Sequence, residues 1–463
     1  MRVIRFGPNG WRARLDDGFD DTSIIRIADA LGRLWSARRP GARVFVGYDT
    51  RHDADRLAVL AGEVLASFGL EAKVSLDACP MPALAMAAAR DDACIGAVML
   101  TASEDPCEYG GVLLRGHDGG PVSSAFLANL ERTISAKPTA GRGAVGRQDF
   151  VTPYIECALQ SVDVDLIARA GLSVVVDPMH GAASPMARRL FERLGCKVSL
   201  IHDEGLEDFG GLHPEPVEPW VDDCECLVRE VGATCGVVLD GDADRAAVID
   251  ERGRLVSRHD MVPMLIGHLV ENRKMSGRVV ATTPASTRVM RQAERLGCSF
   301  MVVPVGFERI YAEATEGDVL IGTEEYGGIC VPSHLMERDG LFASLLLLEL
   351  AATEGKAISE LVDDLDRTIG PMHHGRKDIR LEPVSLQALS NLLPGMNPES
   401  LAGMRPVNVS HADGLRLEFE DGSWVLMRIS RTTSLVRIYA ESPAPRGRDA
   451  LLSAASSLAR SPL

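Results

Sequence analysis

The stretch CGVVLDGDADRAAVID, residues 235–250, decides how the chain is read. Its first residues, Cys235–Leu239, form a short valine-rich apolar run, which predicts a buried strand. A second apolar segment resumes at Ala246. Between them Asp240, Asp242 and Asp244 fall on every second residue. That alternation sets three carboxylates on one side of a tight loop, with Gly241 and Ala243 small enough to let it curl. Carboxylate oxygens at this density suit a hard cation such as Mg²⁺. The competing reading is a solvated acidic turn. Placement directly after a strand, with Arg245 adjacent, favours the metal. A calcium-binding EF-hand is excluded, because the loop lacks the twelfth-position glutamate and the following helix.

Strands and helices alternate on both sides of this stretch. In its own unit, expected over 150–252, LSVVVD (172–177) and KVSLIH (197–202) read as strands. In the preceding unit, 1–145, RVFVGYDT (43–50), EAKVSL (71–76) and CIGAVMLT (94–101) are strands. Helices are expected across Asp55–Phe68 and near Ala83–Ala89. The last of these strands delivers Thr101-Ala102-Ser103 to its carboxyl end, where ligands collect in open α/β sheets. The Gly- and Pro-containing segment Ser135–Gly146 reads as a linker.

A third unit, 253–369, repeats the pattern. Its strands are GRVVATT (277–283), CSFMVVPV (298–305) and VLIGTEEYGG (319–328); its helices cover about Asp260–Glu271, Ser286–Leu296 and Gly340–Ala352. Over 370–463 the pattern changes to DIRL, GLRLEF, SWVLMRIS and VRIYAE, with little helix before Arg448–Arg460. The expected architecture is therefore α/β, with three related units and a C-terminal α+β unit.

Composition narrows the function classes. The 463 residues carry a formal net charge of −16, a field that repels nucleic acid and anionic membranes, so neither is an expected partner. A phosphate-ester substrate would then need a local island of arginine. The ten cysteines are scattered, and Cys224 and Cys226 have no second pair nearby, which argues against zinc and for reduced thiols. The start MRVIRFGPNGWR has no apolar signal region, and no apolar run approaches ~18 residues. A cytoplasmic protein, monomeric or homodimeric, is expected.

Four loops carry chemistry: TAS at 101–103, GDADR at 241–245, GTEEYGG at 322–328 and RISRTT at 428–433. In this order, and together with FGPNGWR (6–12), DPMHGA (177–182), HPEP (213–216), PVG (304–306) and RDG (338–340), the chain resembles the α-D-phosphohexomutases, the phosphoglucomutase/phosphomannomutase family. The resemblance covers nearly the whole chain. It implies three α/β/α domains with mixed sheets and a fourth α+β domain around a central cleft. It implies a phosphoserine at Ser103 that exchanges a phosphoryl group with a hexose 1- or 6-phosphate, and a hexose 1,6-bisphosphate intermediate and activator. A Mg²⁺ would be held by Ser103, Asp240, Asp242 and Asp244. Arg12 and Arg245 would border the reacting phosphate. Glu324, with Tyr326 beside it, would read the sugar hydroxyls. Arg428, Ser430, Thr432 and Arg437 would bind the non-transferring phosphate of the phosphosugar.

The sequence departs from the family pattern at telling places. The serine loop reads Ser103-Glu104-Asp105-Pro106, where Ser-His-Asn-Pro is usual. The family's general acid/base lysine falls on Leu113, which cannot move a proton. Glu104 could take over that work if its pKa is raised. Tyr326 stands where the family has serine. Arg431 replaces a small residue in the phosphate loop, and Ser434 a proline. Three readings follow: a phosphohexomutase with a rearranged acid/base group, a mutase for an unusual sugar or cyclitol phosphate, or a non-catalytic phosphosugar-binding homologue.

Overall fold

The computed structural model describes residues 3–7, 10–139, 141–430 and 435–460. Four sheets follow one another along the chain. The first has six strands, ordered Trp11–Arg14, Tyr109–Gly116, Cys94–Leu100, Arg43–Tyr48, Glu71–Ser75 and Gly146–Gln148. Its centre is parallel, and Tyr109–Gly116 returns antiparallel against Cys94–Leu100. The second is ordered Leu255–Val256, Ala246–Ile249, Cys235–Leu239, Ser173–Asp177 and Lys197–Leu200. The third is ordered Phe300–Val303, Arg278–Thr282, Val319–Thr323, Ile329–Val331 and Leu335–Arg338. Both mix parallel and antiparallel pairs.

These strands form because their residues are apolar and β-branched and are covered on both faces. Val174, Val175 and Val176 are at most 1% exposed, and burial of such a side chain contributes about 1.5–3 kcal/mol. The loops that carry chemistry begin where three such strands end, at Leu100, Leu239 and Thr323. One continuous apolar core links the first three units, from Phe45 through Val176 and Leu239 to Leu365.

The fourth sheet is antiparallel throughout, ordered His373–Arg380, Leu435–Ser442, Trp424–Ile429, Leu415–Glu418 and Asn408–Ser410. It has a core of its own around Leu415, Ile438 and Leu451. It docks on the third unit through a buried carboxylate: Glu441 accepts hydrogen bonds from the Ser286 hydroxyl, from the Thr287 N–H at 2.9 Å and from the Trp424 indole at 2.8 Å. The whole is α/β, three α/β/α units and an antiparallel α+β unit.

The sequence reading did not mark the helices Asp21–Arg38, Phe307–Thr315 and Ile358–Ile369, and three further elements differ from what it expected. A helix, Pro383–Leu392, interrupts the run of strands in the fourth unit. Its proline sits at the helix start, where the missing N–H costs nothing, and the Leu386 and Leu389 side chains turn to the core. The third unit's first helix is shorter and earlier, Arg258–Gly267, and continues as a wide turn, His268–Asn272. The Ser135–Gly146 segment ends in a short strand, Gly146–Gln148, on the edge of the first sheet.

Candidate active site

The strand Cys94–Leu100 ends in a turn that holds Ser103 at φ 49°, a left-handed conformation costly for a side chain of this kind. The turn is held by a residue that the sequence reading passed over. The Arg51 guanidinium donates to the carbonyls of Ser103 at 2.7 Å, Pro106 at 2.8 Å and Tyr109 at 3.0 Å, and to that of Asp105. Arg51 is itself fixed by Asp49, fully buried, at 3.0 Å. Asp49 also accepts the Thr101 hydroxyl at 2.6 Å, and Thr101 in turn accepts the Ser103 N–H at 2.8 Å. The signal was present as Tyr48-Asp49-Thr50-Arg51, an acid and a base at the end of a buried strand.

The acidic loop meets this turn face to face. Ser103 Oγ donates to Asp240 at 2.9 Å and lies 3.3 Å from Arg245 Nη2. Gly241 is required for the approach: a Cβ there would stand 2.5 Å from the Ser103 carbonyl. The carboxylates of Asp240, Asp242 and Asp244 are fully buried and offer oxygens within 4.8 Å of one another. Neither oxygen of Asp242 has a hydrogen-bond partner among the described residues. Burial, compounded by Asp244, pushes the Asp242 carboxyl up to about 7; burial and the other two aspartates push Asp240 well up. Three crowded, dehydrated carboxylates, only partly offset by Arg245 and Arg338, form a hard-oxygen set that fits Mg²⁺.

Arg12 and Arg245 converge beside Ser103, and both close on Glu104, at 3.3 Å and 3.1 Å. Arg12 also pairs with Asp105 at 2.9 Å. This corrects the expectation for Glu104. Burial alone would raise its carboxyl, but the two guanidiniums more than offset burial and hold it well below the usual range. An anion so held is a poor proton carrier. Leu113, 3% exposed, lies in the core of its strand. Arg115 is engaged in a buried ion pair with Glu337.

The third loop reaches the acidic cluster through Arg338, which stands 2.6 Å from Asp244 and 3.0 Å from Glu324. Burial, with a smaller push from Glu325 against the pull of Arg338, lifts the Glu324 carboxyl to about 7. Glu325 turns away and accepts the hydroxyls of Thr282 and Tyr439, each at 3.1 Å. The Tyr326 ring reaches into the fourth unit, with the guanidiniums of Arg376, Arg437 and Arg258 at 4.5, 5.6 and 5.8 Å from its centroid.

In the fourth unit Arg428 and Arg437 lie directly opposite each other on paired strands. Like charges in that position repel unless an anion lies between them. The nearest carboxylate to Arg428 is Asp413, at 3.6 Å. Ser430 is buried beside them. Thr432, Arg431 and Ser434 lie outside the described residues. Ser103, Glu104, Arg12, Arg245 and the three aspartates thus form one cluster, joined to Glu324 by Arg338. Arg428, Ser430 and Arg437 form a second, joined to the first through Tyr326.

Fold and site together define a phosphosugar enzyme of four units, and the relatives make the class specific. Sequence models of the phosphoglucomutase/phosphomannomutase α/β/α domains I, II and III match residues 3–140, 152–253 and 258–368. A phosphoglucomutase/phosphomannomutase of Thermococcus kodakarensis is 31% identical over 444 residues, covering 94% of each chain. A phosphoglucosamine mutase of Synechococcus elongatus is 26% identical over 446 residues, covering 95% of this chain and 90% of its own. The crystal structure of a Thermus thermophilus protein, provisionally assigned as a phosphomannomutase, superposes with a TM-score of 0.88 at 31% identity and covers 99% of both chains. The chain belongs to the phosphoglucomutase/phosphomannomutase family of the α-D-phosphohexomutases. It is an intramolecular phosphotransferase, an isomerase of hexose phosphates.

Proposed function

We propose that the protein interconverts a hexose 1-phosphate and the corresponding 6-phosphate by way of a phosphoserine at Ser103 and a hexose bisphosphate. The observation that carries this reading is the setting of Ser103. Its hydroxyl is buried, 2.9 Å from Asp240, and faces a carboxylate cluster with an unpartnered member, Asp242. A sugar hydroxyl attacks the phosphorus of the seryl phosphate, the bond to Oγ breaks, and the hydroxyl proton departs. The bisphosphate turns over, and its other phosphate returns to Ser103. Such a transfer needs position and compensating charge more than covalent chemistry.

Each residue has a task in this scheme. Arg51 fixes the serine turn. Arg12 and Arg245 hold the transferring phosphoryl group, displacing Glu104. Ser103, Asp240, Asp242 and Asp244 would hold a Mg²⁺, which when bound draws charge from the seryl phosphate. Arg428, Ser430, Thr432 and Arg437 grip the other phosphate, so that the same sugar can be held in either direction. Glu324 accepts sugar hydroxyls, and its carboxyl near 7 also suits it to take up the departing proton. Catalytic amounts of hexose 1,6-bisphosphate would prime Ser103. The four units then serve as serine domain (1–145), metal domain (150–252), sugar domain (253–369) and phosphate domain (370–463).

A ³¹P NMR assay tests the reading, with Mg²⁺, a trace of hexose 1,6-bisphosphate and glucose, mannose or glucosamine phosphates in turn. Movement of phosphate between carbon 1 and carbon 6 is the expected result. A second reading, a mutase for an unusual sugar phosphate, is favoured by Tyr326 in the sugar loop and Leu113 at the lysine position. It is selected if none of these three sugars is turned over while an altered one is.

A further inference from the structure

Beyond the cluster around Ser103 lies a cavity of about 370 Å³, a size that takes a small ligand. It is bounded by Ala246 and Val217 of the second unit, Arg258 and Tyr326 of the third, and Arg376 of the fourth. Arg258 opens its helix and makes no hydrogen bond or ion pair among the described residues; the Tyr326 ring lies against it, and Glu215 and Glu325 attract it from beyond contact distance. Burial disfavours its charge by more than Glu215, Tyr326 and Glu325 restore, and Arg376 adds a smaller repulsion. Arg376 is paired with Asp378.

The carboxylates around Arg258 compensate its charge only in part: Glu215 is shared with His213 and Arg245. Glu325 is engaged by Thr282 and Tyr439, and Glu218 is exposed at the rim, grouped with Asp222 and Glu225. On the remaining wall the rings of His259 and His374 meet at 3.8 Å, tilted by 33°, and burial keeps both neutral. Neutral imidazoles can bond sugar hydroxyls but do not satisfy a cation. The non-transferring phosphate already has Arg428 and Arg437. Arg258 is therefore a half-buried cation without a contact ion pair among the described residues, set against a ligand-sized space beside the sugar loop.

We propose that this cavity binds an anionic group other than the two phosphate positions of the mutase reaction, with Arg258 as its main ligand and Arg376 in support. One source is the substrate itself, a phosphosugar that bears a further carboxylate or comparable anion. The other is a separate small anion bound beside a neutral phosphosugar. The substrate form of the inference rests on the mutase reading; the anion site does not.

Calorimetry on the full chain with Mg²⁺ tests it, using glucuronate 1-phosphate and glucose 1-phosphate, the latter with and without citrate. If the anion is borne by the substrate, glucuronate 1-phosphate binds at least tenfold more tightly than glucose 1-phosphate. If it is separate, citrate tightens glucose 1-phosphate by a similar factor. Either gain should vanish in R258Q and in R258Q/R376Q and be partly kept in R258K, with wild-type thermal melting as the control for folding. The proposal is overturned if neither gain occurs in the wild-type protein, or if the gain survives R258Q. Ser103→Ala should keep the gain. A gain present with no turnover of any phosphosugar would sink the mutase reading and leave the anion site standing; turnover with no gain would do the reverse.

Discussion

The two ends of the site are built on opposite plans. At the phosphoryl end, the serine turn, Asp49, Arg51, Arg12 and Glu104 are cross-linked so that nearly every charge has its partner. The strained φ of Ser103 is held by several hydrogen bonds at once. At the sugar end, arginines surround one aromatic ring, one of them, Arg437, faces Arg428 across a strand pair, and Arg258 has no contact ion pair among the described residues. In the first region the aspartate set, with Arg245 and Arg338 beside it, is the part whose charge is least offset. The second waits for anions. Reaction type therefore resides at the end the protein satisfies internally, and substrate identity at the end it leaves electrostatically open.

The comparison can be broken at its strongest point. Ser103→Ala should lower turnover by about 10⁴-fold or more, since it removes the hydroxyl that meets the aspartate cluster, 2.9 Å from Asp240. Phosphosugar affinity, measured by calorimetry, should change little. Residual activity within tenfold of wild type would show that phosphoryl transfer does not pass through this residue.

Arg51→Met attacks the support rather than the reacting group. It removes the donor for four carbonyls and strands a buried Asp49. Loss of one partner of such a pair costs about 3–5 kcal/mol, and a displaced nucleophile costs about a hundredfold in kcat. Denaturant unfolding and steady-state kinetics measure the two losses. A variant with full stability and full kcat would mean that the turn holds its shape unaided.

Asp242→Asn sharpens the claim that the aspartates of the phosphoryl end hold a cation. Affinity for Mg²⁺ should fall by about ten- to a hundredfold, measured by calorimetry in the absence of sugar. The same substitution should raise stability in metal-free buffer, because it removes one of three repelling carboxylates. If metal affinity were unchanged, the aspartate loop would be a structural feature only.

The phosphoryl end was legible in the sequence because its parts are local. A strand followed at once by alternating aspartates can be read from a single short stretch, and so can a strand ending in Thr-Ala-Ser. The sugar end was only half legible. Tyr326 could be marked as out of place, but Arg258 and Arg376 lie in separate units and meet that ring only after folding. The same limit explains Glu104. Its charge was visible, but the guanidiniums that depress its pKa come from residues 12 and 245. The helix Pro383–Leu392 was missed for a different reason: ten residues of modest amphipathicity sit among strands whose alternation dominates the pattern.

The smallest effect lies where the two ends join, at Glu324. Its carboxyl titrates near 7 because burial disfavours its charge more than Arg338 restores it. A carboxylate that accepts sugar hydroxyls must be ionised, so kcat/KM should fall as pH drops through about 7, by up to tenfold per unit. In Glu324→Gln that limb should flatten, with a lower plateau at high pH, and kcat should fall along with the rise in KM, because both a proton acceptor and a hydroxyl ligand are lost. Were the limb to persist in the variant, the titrating group would lie elsewhere, and Glu324 would belong with Arg338 to the scaffold that ties the sugar loop to Asp244 rather than to the surface that meets the sugar.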